Sequence, residues 1–284
     1  MMPRRLFFFC LLLGSALLFL TACAATPTPI PSPSAESRAL LLHKGDLFST
    51  AAECAFCHTG RQDDSGADVS LDTAWRASLM AHAARDPYYR ASVQHEVQQH
   101  PQHSTIIQEK CATCHVPMAH FSARAEAAPS ALFGEGFFNP AHPQHNLALD
   151  GVSCTVCHQI QAQNLGQPQS FSGGFTIAAQ ERLAYGPFPV EPGNATVMQS
   201  VSGYQPLQAE HIRQSEVCAT CHNLYTPTIE NDGQLSTQLF PEQTPHLEWL
   251  HSQYPATDSC QSCHMPPAQG AVRLANTGGT PQAP

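Results

Sequence analysis

"KCATCHVPMAHF", residues 110–121, decides how the chain is read. Cys111 and Cys114 stand one helical turn apart, and His115 follows at once. The same C-x-x-C-H pattern returns as CAFCH (54–58), CTVCH (154–158), CATCH (218–222) and CQSCH (260–264). Of 12 cysteines, only Cys10 and Cys23 lie outside these motifs. A zinc site can use C-x-x-C, but it does not need a histidine after every pair. A redox dithiol occurs once, in a βαβ pattern that is absent here. A disulfide framework would not impose five identical spacings. The pattern fits covalent attachment of c-type haem, in which two thiols one turn apart form thioethers and the next histidine binds the iron.

On that reading the attachment thiols are Cys54, Cys57, Cys111, Cys114, Cys154, Cys157, Cys218, Cys221, Cys260 and Cys263. The proximal ligands are His58, His115, His158, His222 and His264. The implied cofactors are five covalently attached c-type haems. Few side chains remain for each cofactor, so the expected fold class is mainly α with much irregular loop, around a core of stacked haems. The stretch SFSGGFTIA (170–178) suggests a small strand pair.

The opening stretch also holds Met118 and His120. Five residues of chain span at most roughly 17 Å, and Pro117 stiffens the start. Neither residue can round the edge of a macrocycle to the far side of the iron held by His115. His120 is therefore expected to cap a neighbouring haem, and Met118 to pack on a porphyrin face.

Sixteen histidines are more than five motifs use, so sixth ligands can come from the rest. SLDTAWRASLMAHAARDPYYRASVQHEVQQH (70–100) reads largely as helix, reset at Pro87, with Trp75, Leu79, His82 and Tyr89 on one face. His82 on that face is the first distal candidate. His211 lies seven residues before Cys218, in the approach to a motif. His100 follows the long helix, His145 lies in the loop NPAHPQHN (139–146), and these complete the candidate set of His82, His100, His120, His145 and His211. His246 and His251 straddle Trp249 on a short helix, and His43 sits on an apolar approach to the first motif.

The N-terminal segment reads as an export signal over residues 1–22. Arg4 and Arg5 precede the apolar run LFFFCLLLGSALLFL (6–20), which falls short of the ~20 residues of a membrane span. LTAC (20–23) resembles a bacterial lipobox and implies lipidation of Cys23, an anchor that needs no spanning helix. Residues 23–39 are a Pro/Ser/Thr-rich tether, 40–270 the haem domain, and 271–284 a flexible tail. The expected location is extracytoplasmic, periplasm or cell surface, tied to the membrane through Cys23. Export suits cofactor attachment, which occurs outside the cytoplasm.

The formal net charge is −9 and becomes more negative once Arg4 and Arg5 leave. Such a chain is a poor match for nucleic acid or anionic headgroups. Redox proteins are the expected partners, with a quinol-linked donor and an extracytoplasmic acceptor or reductase.

AWRASLMAHAA (74–84) resembles the W-x-x-S-x-H-A-x-A segment of the hydroxylamine-oxidoreductase and nitrifier tetrahaem cytochrome superfamily. Trp75, Ser78 and His82 match, with three residues between Ser78 and His82 where the family has one. CQSCHMP (260–266) is similar to the last motif of these proteins and of pentahaem nitrite reductases. SEVCATCHNLYTP (215–227) and DGVSCTVCHQI (150–160) look like multihaem members of the same group. The resemblance implies a multihaem cytochrome and makes His82 a distal ligand. It stops short of two chemistries. The C-x-x-C-K motif of nitrite reductases is missing, and neither Lys44 nor Lys110 follows a cysteine pair. The motif count is also below that of octahaem oxidoreductases. The sequence therefore favours electron transfer along mainly bis-His haems, with no catalytic residue assigned. The alternative is an oxidoreductase acting on a small nitrogen or sulfur compound at one five-coordinate haem, with QHEVQQHPQH (94–103) as a His-rich pocket.

Overall fold

The computed structural model describes residues 40–283. The export segment, the tether and Cys23 lie outside them. Among the described residues no helix is long and apolar enough to cross a membrane.

Short helices dominate, and prolines start several of them. α1 is Ala51–His58, α2 Leu71–Arg76, α3 Leu79–His82 and α4 Pro87–Gln99. α5 is Ser104–His115, α6 Pro117–Ala125, α7 His145–Leu149 and α8 Cys154–Cys157. After β1 (Leu183–Gly186) come α9 (Pro192–Ser202), β2 (Gln205–Gln208) and α10 (Glu216–His222). β3 (Leu224–Ile229), β4 (Leu235–Gln243), α11 (Pro245–Leu250) and α12 (Cys260–His264) follow. Pro87, Pro117, Pro192 and Pro245 each occupy a first helical position, where the missing N–H costs nothing.

The long helix expected over 70–100 is three helices. Ser78 ends the first and caps the next, its hydroxyl donating to Trp75 O at 2.6 Å and accepting from Ala81 N. Asp86 then caps α4 by accepting from Tyr88 N at 2.9 Å. Serine and aspartate satisfy free N–H groups at helix starts, so they break a run that hydrophobic spacing alone joins. The expected common face does not form. Leu79 is 89% exposed and His82 is exposed, whereas Tyr89 is buried.

The strand pair expected at 170–178 is absent; that stretch makes a single bridge, Ile160 to Ile177. The sheets lie elsewhere. β1 pairs in parallel with β2, and β3 pairs antiparallel with β4.

A core of protein side chains is present. Phe48, Val116, Met118, Leu132, Phe137, Leu147, Val156 and Ile160 are all nearly or wholly buried in one cluster. Met118 is thus enclosed by protein, with its sulfur 3.3 Å from Thr155 Oγ1. Gly151 lets the approach to α8 touch α3: its φ is +66°, and a Cβ there would lie 2.6 Å from Met80 O.

The stretch read as a flexible tail is held to the rest of the chain. Val272 and Gln282 exchange backbone hydrogen bonds. Gln269 N donates to Asp63 Oδ2 at 3.0 Å, and Thr280 N donates to Glu191 Oε1 at 3.2 Å. The Ser65 hydroxyl and the Gln269 amide hold the Asp63 carboxyl below its ordinary range, and Thr280 does the same for Glu191. A depressed carboxylate contributes fully above its ordinary pKa and fails only as pH falls through the lowered value. The Gln269 and Thr280 amides should therefore keep their hydrogen-exchange protection at a pH above the ordinary carboxylate range and lose it only as pH falls below that range. Loss already at the higher pH would contradict this anchoring.

Candidate cofactor-attachment sites

Each C-x-x-C-H motif lies on a helical turn, at the end of α1, α5 or α10, or as nearly the whole of α8 or α12. Residues three apart on a helix share a face, so both thiols of a motif point the same way. All motif cysteines are free thiols. Burial pushes Cys111 up to about 11 and Cys157 up to about 12. Cys218 rises to about 12, first through burial and then through Cys260. These thiols stay protonated near neutral pH.

The motifs are neighbours in an order that differs from the sequence. The Cys54 and Cys154 thiols lie near enough to perturb each other, raising Cys54 and lowering Cys154. Cys114 and Cys221 perturb each other in the same way, and Cys260 raises Cys218. Cys157 also lies close enough to feel Cys221.

Backbone and hydroxyl contacts brace the same pairs. Thr155 in the third motif donates to Ser49 O at 2.8 Å, beside the first motif. Ala51 N donates to Asp150 Oδ2 at 2.7 Å. Cys260 N donates to Ser215 Oγ at 3.0 Å, tying the fifth motif to the start of α10. Gly173 sits between the second and fourth motifs: its N–H donates to Thr220 O at 2.7 Å, and a Cβ there would overlap Thr113.

A histidine can bind a metal only through a nitrogen that carries no proton, and a hydrogen bond from the other nitrogen fixes which one that is. Three motif histidines show the required pattern. His58 Nδ1 donates to Leu274 O at 2.8 Å, His115 Nδ1 to Ala83 O at 3.1 Å, and His158 Nδ1 to Tyr185 O at 2.5 Å. Each leaves Nε2 with its lone pair. Tyr89 stacks on the His115 ring, with centroids 3.8 Å apart and planes 5° apart.

The distal candidates divide on the same criterion. His145 Nδ1 donates to Phe137 O at 2.9 Å, which leaves Nε2 free. His82 and His211 engage the other nitrogen: Nε2 lies 3.1 Å from Arg76 O in the first and 2.8 Å from Ile160 O in the second. His100 is half-buried at the end of α4. His120 is 3% exposed, and burial, then Arg124 and Lys110, lower its pKa to about 4. Thr113 spends its hydroxyl proton on Glu109 O, so its oxygen accepts from His120 Nε2 at 3.3 Å. His120 Nδ1 is buried without a partner.

Sequence reasoning left His246 outside the candidate set. It is 3% exposed, and its Nδ1 accepts from Asn223 Nδ2 at 3.1 Å. Its Nε2 is buried and unpartnered.

The stretch expected to form a His-rich pocket, 94–103, has part of its imidazole set engaged or turned to solvent. His103 Nε2 bonds Gly233 O at 2.8 Å, and His95 is exposed. A cavity of about 470 Å³ lies elsewhere, between α5, α6 and residues 172–174, with Lys110, Thr113, His120 and Arg124 in its wall.

The donor set fits c-type haem. Five times the chain offers two reduced thiols one turn apart and a following imidazole, and three of those imidazoles already present Nε2.

No protein-family model matches the chain, and no curated protein matches it. Among solved structures it is similar to a penta-heme cytochrome c552 from Thermochromatium tepidum, with 20% identity and a TM-score of 0.47. The likeness covers 82% of this chain and 57% of that one, so the chain spans little more than half of that structure's length. At that distance it carries no function across.

Tyr89 supplies a test of packing at the second motif. It is 7% exposed, and its hydroxyl is buried without a partner. Tyr89→Phe should leave stability unchanged or raise it by about 1 kcal/mol, because an unsatisfied polar atom is removed. Tyr89→Ala should cost roughly 3 kcal/mol through the lost ring. Denaturant unfolding measures both; a loss above about 1 kcal/mol in the Phe variant would show that the hydroxyl is satisfied.

Proposed function

We propose that the chain is an exported c-type cytochrome that holds five covalent haems and transfers electrons along them. The observation that carries this reading is the repeated donor set: each motif presents two thiols and a histidine, and His58, His115 and His158 are already in the ligating tautomer. Bound haem supplies one-electron redox chemistry.

The residues of the chain do the rest. The cysteines tether, the carbonyls of Leu274, Ala83 and Tyr185 orient three proximal rings, and the adjacent motif pairs make their attached groups neighbours. The thiols of the first and third motifs perturb each other, as do those of the fourth and fifth and of the second and fourth, and Cys157 of the third feels the charge of Cys221 in the fourth. That continuity suits a relay. His145 is the best-prepared distal ligand. His82, His100, His120 and His211 remain candidates that must release or rearrange a contact, or find a haem not yet in reach. The net charge of −9 favours basic redox partners, between a quinol-linked donor and an extracytoplasmic acceptor or reductase. Lipidation at Cys23 would keep the chain at the membrane.

One observation favours a second reading, an oxidoreductase for a small nitrogen or sulfur oxyanion. Lys110 and Arg124 bring two positive charges, against one negative from Glu109, to the 470 Å³ cavity beside the second motif. That chemistry needs an iron with an open coordination position.

Spin state separates the two readings. The oxidised holoprotein should give only low-spin signals by electron paramagnetic resonance, and the reduced protein should not bind CO. A high-spin, CO-binding iron in the unaltered protein would move the assignment to the oxidoreductase. His145→Ala should convert one haem to high-spin and leave the others low-spin. An unchanged spectrum would remove His145 from the ligand set.

A further inference from the structure

The last segment of the chain returns to the first motif. His58 donates from Nδ1 to Leu274 O at 2.8 Å, across 216 residues of sequence. His115 and His158 take their carbonyls from much nearer, at Ala83 and Tyr185. The contact to Leu274 is part of a larger docking. Asn276 N donates to Cys57 O at 2.8 Å, and Asn276 Nδ2 donates to Phe56 O at 2.9 Å. These are carbonyls of the last turn of α1, which have no partner within the helix. Arg61 Nη1 reaches Ala275 O at 3.4 Å.

Both flanks of the segment are fixed. On one side Gln269 bonds Asp63 and Asp64, and on the other Thr280 bonds Glu191. Between them Ala275 bridges to Gly278, whose φ of +113° suits glycine. The segment is therefore shaped to present the Leu274 carbonyl at one place.

We propose that residues 272–278 are a positioning element for the iron ligand His58, with Asn276 as the residue that seats them. The inference rests on the cytochrome reading. Asn276 satisfies two carbonyls of α1 and thereby sets the distance between Leu274 O and the His58 ring. The Leu274 carbonyl keeps the proton on Nδ1, fixes the ring plane and raises the basicity of Nε2. A more basic imidazole stabilises the oxidised iron, so this contact lowers the potential of the first haem relative to an unsupported histidine. Asn276 touches neither the ring nor the cofactor; it acts through the segment it anchors.

The test uses the full holoprotein with Asn276→Ala, and a second variant lacking residues 272–284. Intact mass first counts haems in the unaltered protein; a count of none would remove the cytochrome reading itself, separately from this inference. With haems present, spectroelectrochemical titration should show one component moving to more positive potential in Asn276→Ala and farther in the deletion, with the others unmoved. The electron paramagnetic resonance signal of one haem should change with it. A general loosening would instead spread small shifts over all components, and that result would overturn the proposal. Potentials identical to the unaltered protein in both variants would overturn it as well.

Discussion

The hydrogen bond from a histidine Nδ1 to a backbone carbonyl is the contact on which the rest of this architecture depends. An imidazole offers a metal only the nitrogen it does not protonate, and that choice is made by the partner of the other nitrogen. In this chain the partners are main-chain carbonyls drawn from distant places: Ala83 at the end of α3, Tyr185 on β1 and Leu274 near the C-terminus. Each of these three motifs is thus completed by a segment outside it. The small parallel sheet, the broken helix before α4 and the returning tail have a common purpose on this view, since each delivers a carbonyl to a ligand ring.

Close contact between motifs imposes a second constraint. The thiols of the first and third motifs meet, as do those of the fourth and fifth. Hydroxyls and small residues make the approach possible. Thr155 bonds Ser49, Ser215 bonds Cys260, and Gly173 fits between Thr113 and Thr220 where a Cβ would clash. The buried cluster around Phe48, Met118 and Phe137 also takes in Ala112 and Val156 and packs against Cys221, so the chain brings a protein core of its own to the second, third and fourth motifs.

The helical turn at each C-x-x-C-H motif was legible in the sequence, because the chemistry that the pattern suits needs two thiols at a fixed local spacing. The mainly helical, loop-rich class was legible for a related reason, since each motif is itself a helical turn. The state of the other histidines was not, because the free nitrogen of an imidazole is set by a carbonyl that local sequence does not reveal. His145 looked like any loop histidine until Phe137 O was placed beside it. His82 looked strongest on a helix face that Ser78 and Asp86 interrupt. Those two residues carried capping signals that hydrophobic spacing overrode. The tail, rich in glycine and proline, had the composition of a linker, and its anchors Asp63 and Glu191 lie more than eighty residues away. His246 sits in a buried position made by Asn223, a contact no local pattern announces.

The central claim is that every C-x-x-C-H motif of this chain holds a haem through both of its thiols. Intact-mass measurement of the exported, mature protein tests it most directly, because thioether links survive denaturation while ligand bonds do not. The account predicts a single species heavier than the processed polypeptide by five haem groups, with no thiol left to alkylate in the folded domain. A species at the polypeptide mass, or one lighter by the hydrogens lost to disulfides, would contradict it.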